Sequence, residues 1–106
     1  PRQSARGCAA MAAGRPEEAI GFFREADRTY FSCYTCTLVN LGRAFDLSGQ
    51  RDSAISYLQR FVDTPHAQMD QDQFWIAGSY KRLGELYEAS GDLPKAATNV
   101  EKFIEL

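Results

Sequence analysis

Apolar residues recur along most of this chain at spacings of three and four, the period of one buried face of a helix rather than of a strand. Tyr80, Leu83 and Tyr87 form one such stripe, and Met69 and Ile76 hold the same face ahead of it. Phe31, Tyr34, Leu38, Leu41 and Phe45 form another. Shorter stripes lie at Ala19, Ile20, Phe23 and Ala26, at Ala54, Ile55, Leu58, Phe61 and Val62, and at Ala96, Ala97, Val100, Phe103 and Ile104. Between them stand breakers: Gly14-Arg15-Pro16, Ser48-Gly49-Gln50, Pro65 and Gly91-Asp92. The pattern predicts six helices, over about 2–13, Pro16 to Asp27, a start near Tyr30 to Ser32 running to Leu47, Arg51 to Asp63, Gln68 or Asp70 to Ala89, and Pro94 to Glu105. Gly91 suits a left-handed helix end and Asp92 the cap of the next helix. Pro16 and Pro94 fit a first helical turn, where the missing N–H is not needed, and Glu17 and Glu18 complement the dipole there.

Three landmarks repeat together. A glycine inside the first helix of each pair falls at Gly7, Gly42 and Gly84; an inter-helix glycine at Gly14, Gly49 and Gly91; an alanine at Ala19, Ala54 and Ala96. Each series has offsets of 35 and 42 residues. A mid-helix glycine costs about 1 kcal/mol against alanine, so close approach of a neighbouring helix is the expected reason for it. In full, the last unit reads Tyr80-x2-Leu83-Gly84-x2-Tyr87, then Ala96-x3-Val100; the one before it reads Leu38-x2-Leu41-Gly42-x2-Phe45, then Ala54-x3-Leu58. With Tyr for Trp and Val for Phe, this resembles the tetratricopeptide repeat family. The first unit keeps Ala19-x3-Phe23 but has Gln3, Arg6 and Ala10 in the large apolar slots.

The resemblance implies an all-α fold, a right-handed α-solenoid of three antiparallel helix pairs, against a non-repeat helical bundle as the alternative. It implies one domain over residues 1–106, with repeats at about 1–30, 31–65 and 68–106. Starting mid-motif without an initiator methionine, the chain reads as a piece of a longer protein. Its last third also resembles repeat segments appended to large bacterial signalling proteins, a hint of bacterial origin. The seven extra residues of the second interval, near two helical turns, are expected to lengthen the fifth helix without loss of phase.

A hydrophobic fraction of 44% suits a globular domain, and 12 basic against 14 acidic side chains give a net charge of −2, without the basic surplus of a nucleic-acid binder. No apolar run approaches the length of a membrane span and no signal peptide opens the chain, so neither nucleic acid nor membrane is an expected partner. Cys33-x2-Cys36 admits two readings: a redox pair or half a zinc site, or two small side chains on one helical face. Cys8 and the lone His66 supply no second ligand pair, so no metal or other cofactor is expected. Reduced thiols would suit a cytoplasmic setting. Catalysis is not expected either. His66 lies beside Pro65 in a turn, Asp70/Asp72 and Glu85/Glu88 have no acid–base context, and no glycine loop shaped for phosphate is present.

In the family that the motifs resemble, the first helices of successive repeats line a concave groove that binds extended or helical peptides. Carried over slot by slot, this implies a groove of Cys36, Val39, Asn40 and Arg43, then Gly78, Lys81, Arg82 and Glu85, with Ser4, Ala5, Cys8 and Met11 from the first repeat. Helical phase extends it to Cys33, Phe74 and Trp75. The expected function is protein–protein interaction through a bound peptide segment. A subset of the family grips a chaperone's C-terminal carboxylate; Asn40 and Arg82 fall in matching slots, whereas Ser4, Cys8 and Gly78 lack the required charges and amides. Lys81 and Arg82 could recognise an acidic peptide, or Lys81 could simply pair with Glu85 one turn away. Trp75 has two roles open to it, a stacking anchor for peptide or packing against the helix that ends at Val62. The apolar face of the last helix is wider than one neighbour covers. Part of it is expected to be exposed, or covered by a symmetry mate or a further helix. Val100, Phe103 and Ile104 therefore carry an alternative function in self-association or intramolecular docking.

Overall fold

Helical periodicity needs a partner for each stripe, and the chain finds it in its neighbours. The computed structural model describes residues 2–27, 34–64 and 72–106. These form α1 (Arg2–Ala12), α2 (Pro16–Asp27), α3 (Tyr34–Leu47), α4 (Arg51–Asp63), α5 (Asp72–Ser90) and α6 (Leu93–Glu105), with no strand among them. Each helix packs chiefly on the next in order, α1 on α2 through α5 on α6, which is the arrangement of a helical-repeat stack. The expected start of the third helix near Tyr30 to Ser32, and the expected extension from Gln68 or Asp70 to Gln71, lie outside the described residues. So do Phe31, Cys33 and Met69.

Three turns of one design join the pairs. Gly14, Gly49 and Gly91 have φ of 76°, 81° and 85°, where only a residue without Cβ sits unstrained. In each turn the glycine N–H reaches back three residues, and the next N–H reaches back five: Gln50 donates to the Phe45 carbonyl at 2.9 Å and Gly49 to Asp46 at 3.1 Å. Arg15 to Ala10 and Asp92 to Tyr87 repeat the longer bond. This is the Schellman closure, which satisfies carbonyls left over at a helix end. Asp92 then caps α6, its carboxylate accepting from Lys95 N at 3.2 Å, with Pro94 in the first turn. Thr64, ahead of Pro65, leaves α4 in an extended conformation, as proline requires of the residue before it.

The close approaches fall at one register. A Cβ on Gly7 would strike the Phe23 ring, one on Gly42 would lie 2.6 Å from Leu58 Cδ2, and one on Gly84 would lie 2.7 Å from Val100 Cγ2. Each first helix thus rests its glycine on the large residue four positions past the motif alanine. Ala19 and Ala54 are wholly buried, and Phe23, Leu38, Leu58, Phe61 and Leu83 fill the centre. Fully burying each such leucine or phenylalanine favours folding by roughly 1.5–3 kcal/mol.

Candidate functional site

The inner faces of α3 and α5 leave a concavity of about 460 Å³ between them, lined by Arg43 and Asp46 from α3, Leu58 from α4, and Trp75, Ala77, Gly78, Ser79 and Arg82 from α5. Helical spacing explains the set: Trp75, Gly78, Ser79 and Arg82 sit three and four residues apart, and so do Asp46 and its neighbour one turn back, Arg43. A second concavity of about 310 Å³ lies beside it, lined by Cys8, Met11, Ala12, Phe23, Arg43 and Leu47. Arg43 borders both, so the two hollows form consecutive stations along the faces of α1, α3 and α5.

Charges in the larger hollow are arranged rather than scattered. Arg82 donates from Nε to Asp46 Oδ2 at 2.7 Å and from Nη2 to Oδ1 at 2.9 Å, a two-pronged bond across the groove. Its Nη1 donates to Glu85 Oε1 at 3.0 Å. Asp46 first, then Glu85, holds the Arg82 guanidinium still further above its already high ordinary value. Arg43 instead lies over the Trp75 ring, 4.7 Å from its centre. Arg43 makes no ion pair with a carboxylate among the described residues.

The expected groove residues meet different fates. Arg43, Gly78 and Arg82 line the hollow, and Glu85 joins it through Arg82. Lys81 is exposed and Asn40 half-buried, and neither borders either hollow. Val39 is a correction: it is 5% exposed and part of the core, because a helix in mid-stack is covered on more than one side. The Lys81–Glu85 pair gives way to Arg82–Glu85, since an arginine fork already fixed by Asp46 can serve a second carboxylate. Arg82 is thereby engaged and does not offer the free charge a carboxylate clamp needs. Cys36 is disulfide-bonded, which removes it as a soft thiol in the groove and removes the argument from reduced thiols for a cytoplasmic setting. Phe74 lies in α5, but its side chain is outside the described part of the structure. From the first repeat, Cys8 and Met11 border the smaller hollow, with Ser4 and Ala5 away from it.

Trp75 belongs to the groove wall, with 37% of its surface exposed. Asp46 and Ser79 are lining residues that sequence reasoning missed. The signal available for Asp46 was its position one turn past Arg43. Among the described residues no three His, Cys, Asp or Glu side chains converge as metal ligands, and no helix is long and apolar enough to cross a membrane.

A family model described as tetratricopeptide repeat matches residues 37–68, the stretch that carries most of α3 and all of α4. No curated protein matches the chain.

Proposed function

We propose that this chain, whose residues 37–68 match the tetratricopeptide repeat family, a family whose repeats generally mediate protein–protein interaction, acts as a non-catalytic scaffold holding a peptide segment of a partner along the faces of α1, α3 and α5. The observation that carries this reading is the pair of adjoining hollows bridged by Arg43, each lined by apolar side chains together with that shared arginine. Hollows of this size with a few placed polar groups are the usual form of a ligand site. Two stations in line suit an extended chain with alternating anchors better than one compact small molecule.

Selection from a displayed random-peptide library on the immobilised protein tests it. Enriched peptides should shift the amide resonances of Arg43, Gly78, Lys81 and Arg82 and lose binding in the double variant Arg43→Glu/Arg82→Glu. Peptides indifferent to that variant would overturn the reading.

A second reading rests on a separate observation. On α6, Val100, Phe103 and Ile104 are 42%, 38% and 74% exposed, a contiguous apolar face on the opposite end from α1. Self-association through it would depend on Phe103 and be indifferent to the groove, so the two readings respond to different substitutions.

A further inference from the structure

The larger hollow has a composition that selects among partner segments, and this step rests on the groove reading above. We propose that it takes an apolar side chain from a segment carrying a carboxylate beside that anchor, with Arg43 as the carboxylate's partner and Gly78 as the residue whose missing side chain makes the room.

Gly78 is the first ground. It lies inside α5, where a glycine costs about 1 kcal/mol against alanine. At Gly42 and Gly84 that cost has a packing reason, because a Cβ would meet Leu58 or Val100. A Cβ at Gly78 would meet nothing within 4 Å. The space it leaves empty is the hollow itself, whose wall it forms with Trp75 and Ala77 above Leu58. An aromatic or branched aliphatic side chain entering there would lie among Trp75, Ala77 and Leu58, beside the wall that Gly78 leaves open.

The balance of charge is the second ground. Asp46 and Glu85 share the one guanidinium of Arg82, so this triad offers no free cation and keeps a net negative charge, and the attraction for an anion is local to Arg43. Arg43 is different. Its Cζ lies 4.7 Å from the centre of the Trp75 ring, and no carboxylate among the described residues is ion-paired with its N–H donors. A guanidinium already held against an aromatic ring loses less freedom on binding, and its bond to a carboxylate is of the stronger, charge-assisted kind. The complementary ligand is therefore an apolar group with an adjoining anion. A ligand with an ammonium in that place would face Arg43 with like charge.

Two small probes separate these terms: 4-phenylbutyrate, with an apolar body and a carboxylate, and 4-phenylbutyramide, its neutral counterpart. Binding is read by the fluorescence of Trp75, the chain's one tryptophan, and independently by the amide resonances of Ala77 and Gly78. For a dozen heavy atoms the acid should bind with a dissociation constant on the order of millimolar. The amide should bind roughly tenfold more weakly, the equivalent of one charge-assisted hydrogen bond. Arg43→Gln should bring the two probes to equal affinity, read by the amide resonances because the tryptophan environment changes with it. Gly78→Leu should abolish binding of both, and Gly78→Ala, which helix propensity favours, should weaken both while keeping the acid's preference.

Equal affinity of acid and amide for the unaltered protein would overturn the proposal without any variant, as would failure of both to bind. Acid binding that survives Gly78→Leu would overturn the assignment to this hollow. If library-selected peptides still bind through Arg43 and Arg82 in those cases, the groove reading stands and only the anchor chemistry fails. If neither peptides nor probes bind, both fail.

Discussion

Gly42, Gly84 and Gly78 all lie inside helices and differ in what surrounds them. At Gly42 an added methyl would lie 2.6 Å from Leu58 Cδ2 and 3.3 Å from its backbone nitrogen, and Leu58 is 2% exposed and cannot yield. At Gly84 the obstruction is a methyl of Val100, 2.7 Å away, on a side chain that is 42% exposed and so less confined than Leu58. At Gly78 there is no obstruction. Alanine substitution should therefore destabilise at Gly42 by about 1–3 kcal/mol, as overpacked cores do. It should be near neutral at Gly84 and stabilise by up to about 1 kcal/mol at Gly78. Urea denaturation midpoints measure all three, and a common direction of change would contradict the packing account. Tyr87 gives a second residue-scale outcome. Burial, then the charges of Asp92 and Asp63, pushes its phenol above 10.0. A raised folded value means that the stabilisation is fully present below pH 10.0 and is lost as pH rises through the folded value, because the unfolded chain gives up its proton first. Tyr87→Phe should flatten that alkaline decline while costing about 1 kcal/mol at neutral pH for the lost bond to Gln59. A decline of unchanged slope in the variant would assign it to another group. Sequence marked Gly42 and Gly84 by their matching offsets and left Gly78 outside that series; it could not show what surrounds each glycine, because that belongs to other helices.

At the level of helices the same limit recurs. The 3.6-residue period says which side chains share a face of one helix, and so the stripes of α2, α4 and α5 were legible in order. It does not say how two helices line up across a groove, which is set by crossing angle and close approach. Asp46 and Arg82, 36 residues apart, could not be paired from spacing, and neither could Arg43 and Trp75. Val39 was misread for a related reason: α3 is flanked by α2 and α4, and Leu38, Val39, Leu41, Ala44 and Phe45 are all buried, an arc wider than a single stripe. The Asp46–Arg82 link ties the faces of α3 and α5, yet the Arg82 side chain is 46% exposed, so its energy is screened. A double-mutant cycle with Asp46→Ala and Arg82→Ala should give a coupling below about 1 kcal/mol. The geometric effect should be larger than the energetic one: hydrogen exchange along α5 near Arg82 should accelerate in Asp46→Ala. Unchanged exchange, or a coupling of several kcal/mol, would mean that the pair has a different role from positioning one groove wall against the other.

For the whole molecule, the repeat register makes the two ends of the stack comparable with its middle. Phe23, Leu58 and Val100 occupy one register position and are 1%, 2% and 42% exposed; Ala26, Phe61 and Phe103 occupy another and are 3%, 0% and 38% exposed. Val62 is 8% exposed where Ile104 is 74% exposed. The difference is the covering helix: α3 lies on α2 and α5 lies on α4, while nothing described here lies on α6. The other end is not a match for it. Where α3 carries Leu38 and Leu41 and α5 carries Tyr80 and Leu83, α1 carries Gln3 and Arg6, so a second copy stacking α1 onto α6 would set polar groups against Phe103 and Ile104. Two copies joined through their α6 faces bury apolar surface on both sides, in the closed twofold arrangement that soluble oligomers favour. Full burial of such a side chain contributes roughly 1.5–3 kcal/mol; Val100 and Phe103 have less than half of that left to gain and Ile104 most of it, set against the cost of association. The expected outcome is a weak dimer, seen in sedimentation velocity as a concentration-dependent shift. Phe103→Glu should return it to monomer while leaving peptide binding at Arg43 and Gly78 intact. A monomer at every concentration would remove self-association as a role for this face. A dimer indifferent to Phe103→Glu would move the interface elsewhere on the stack.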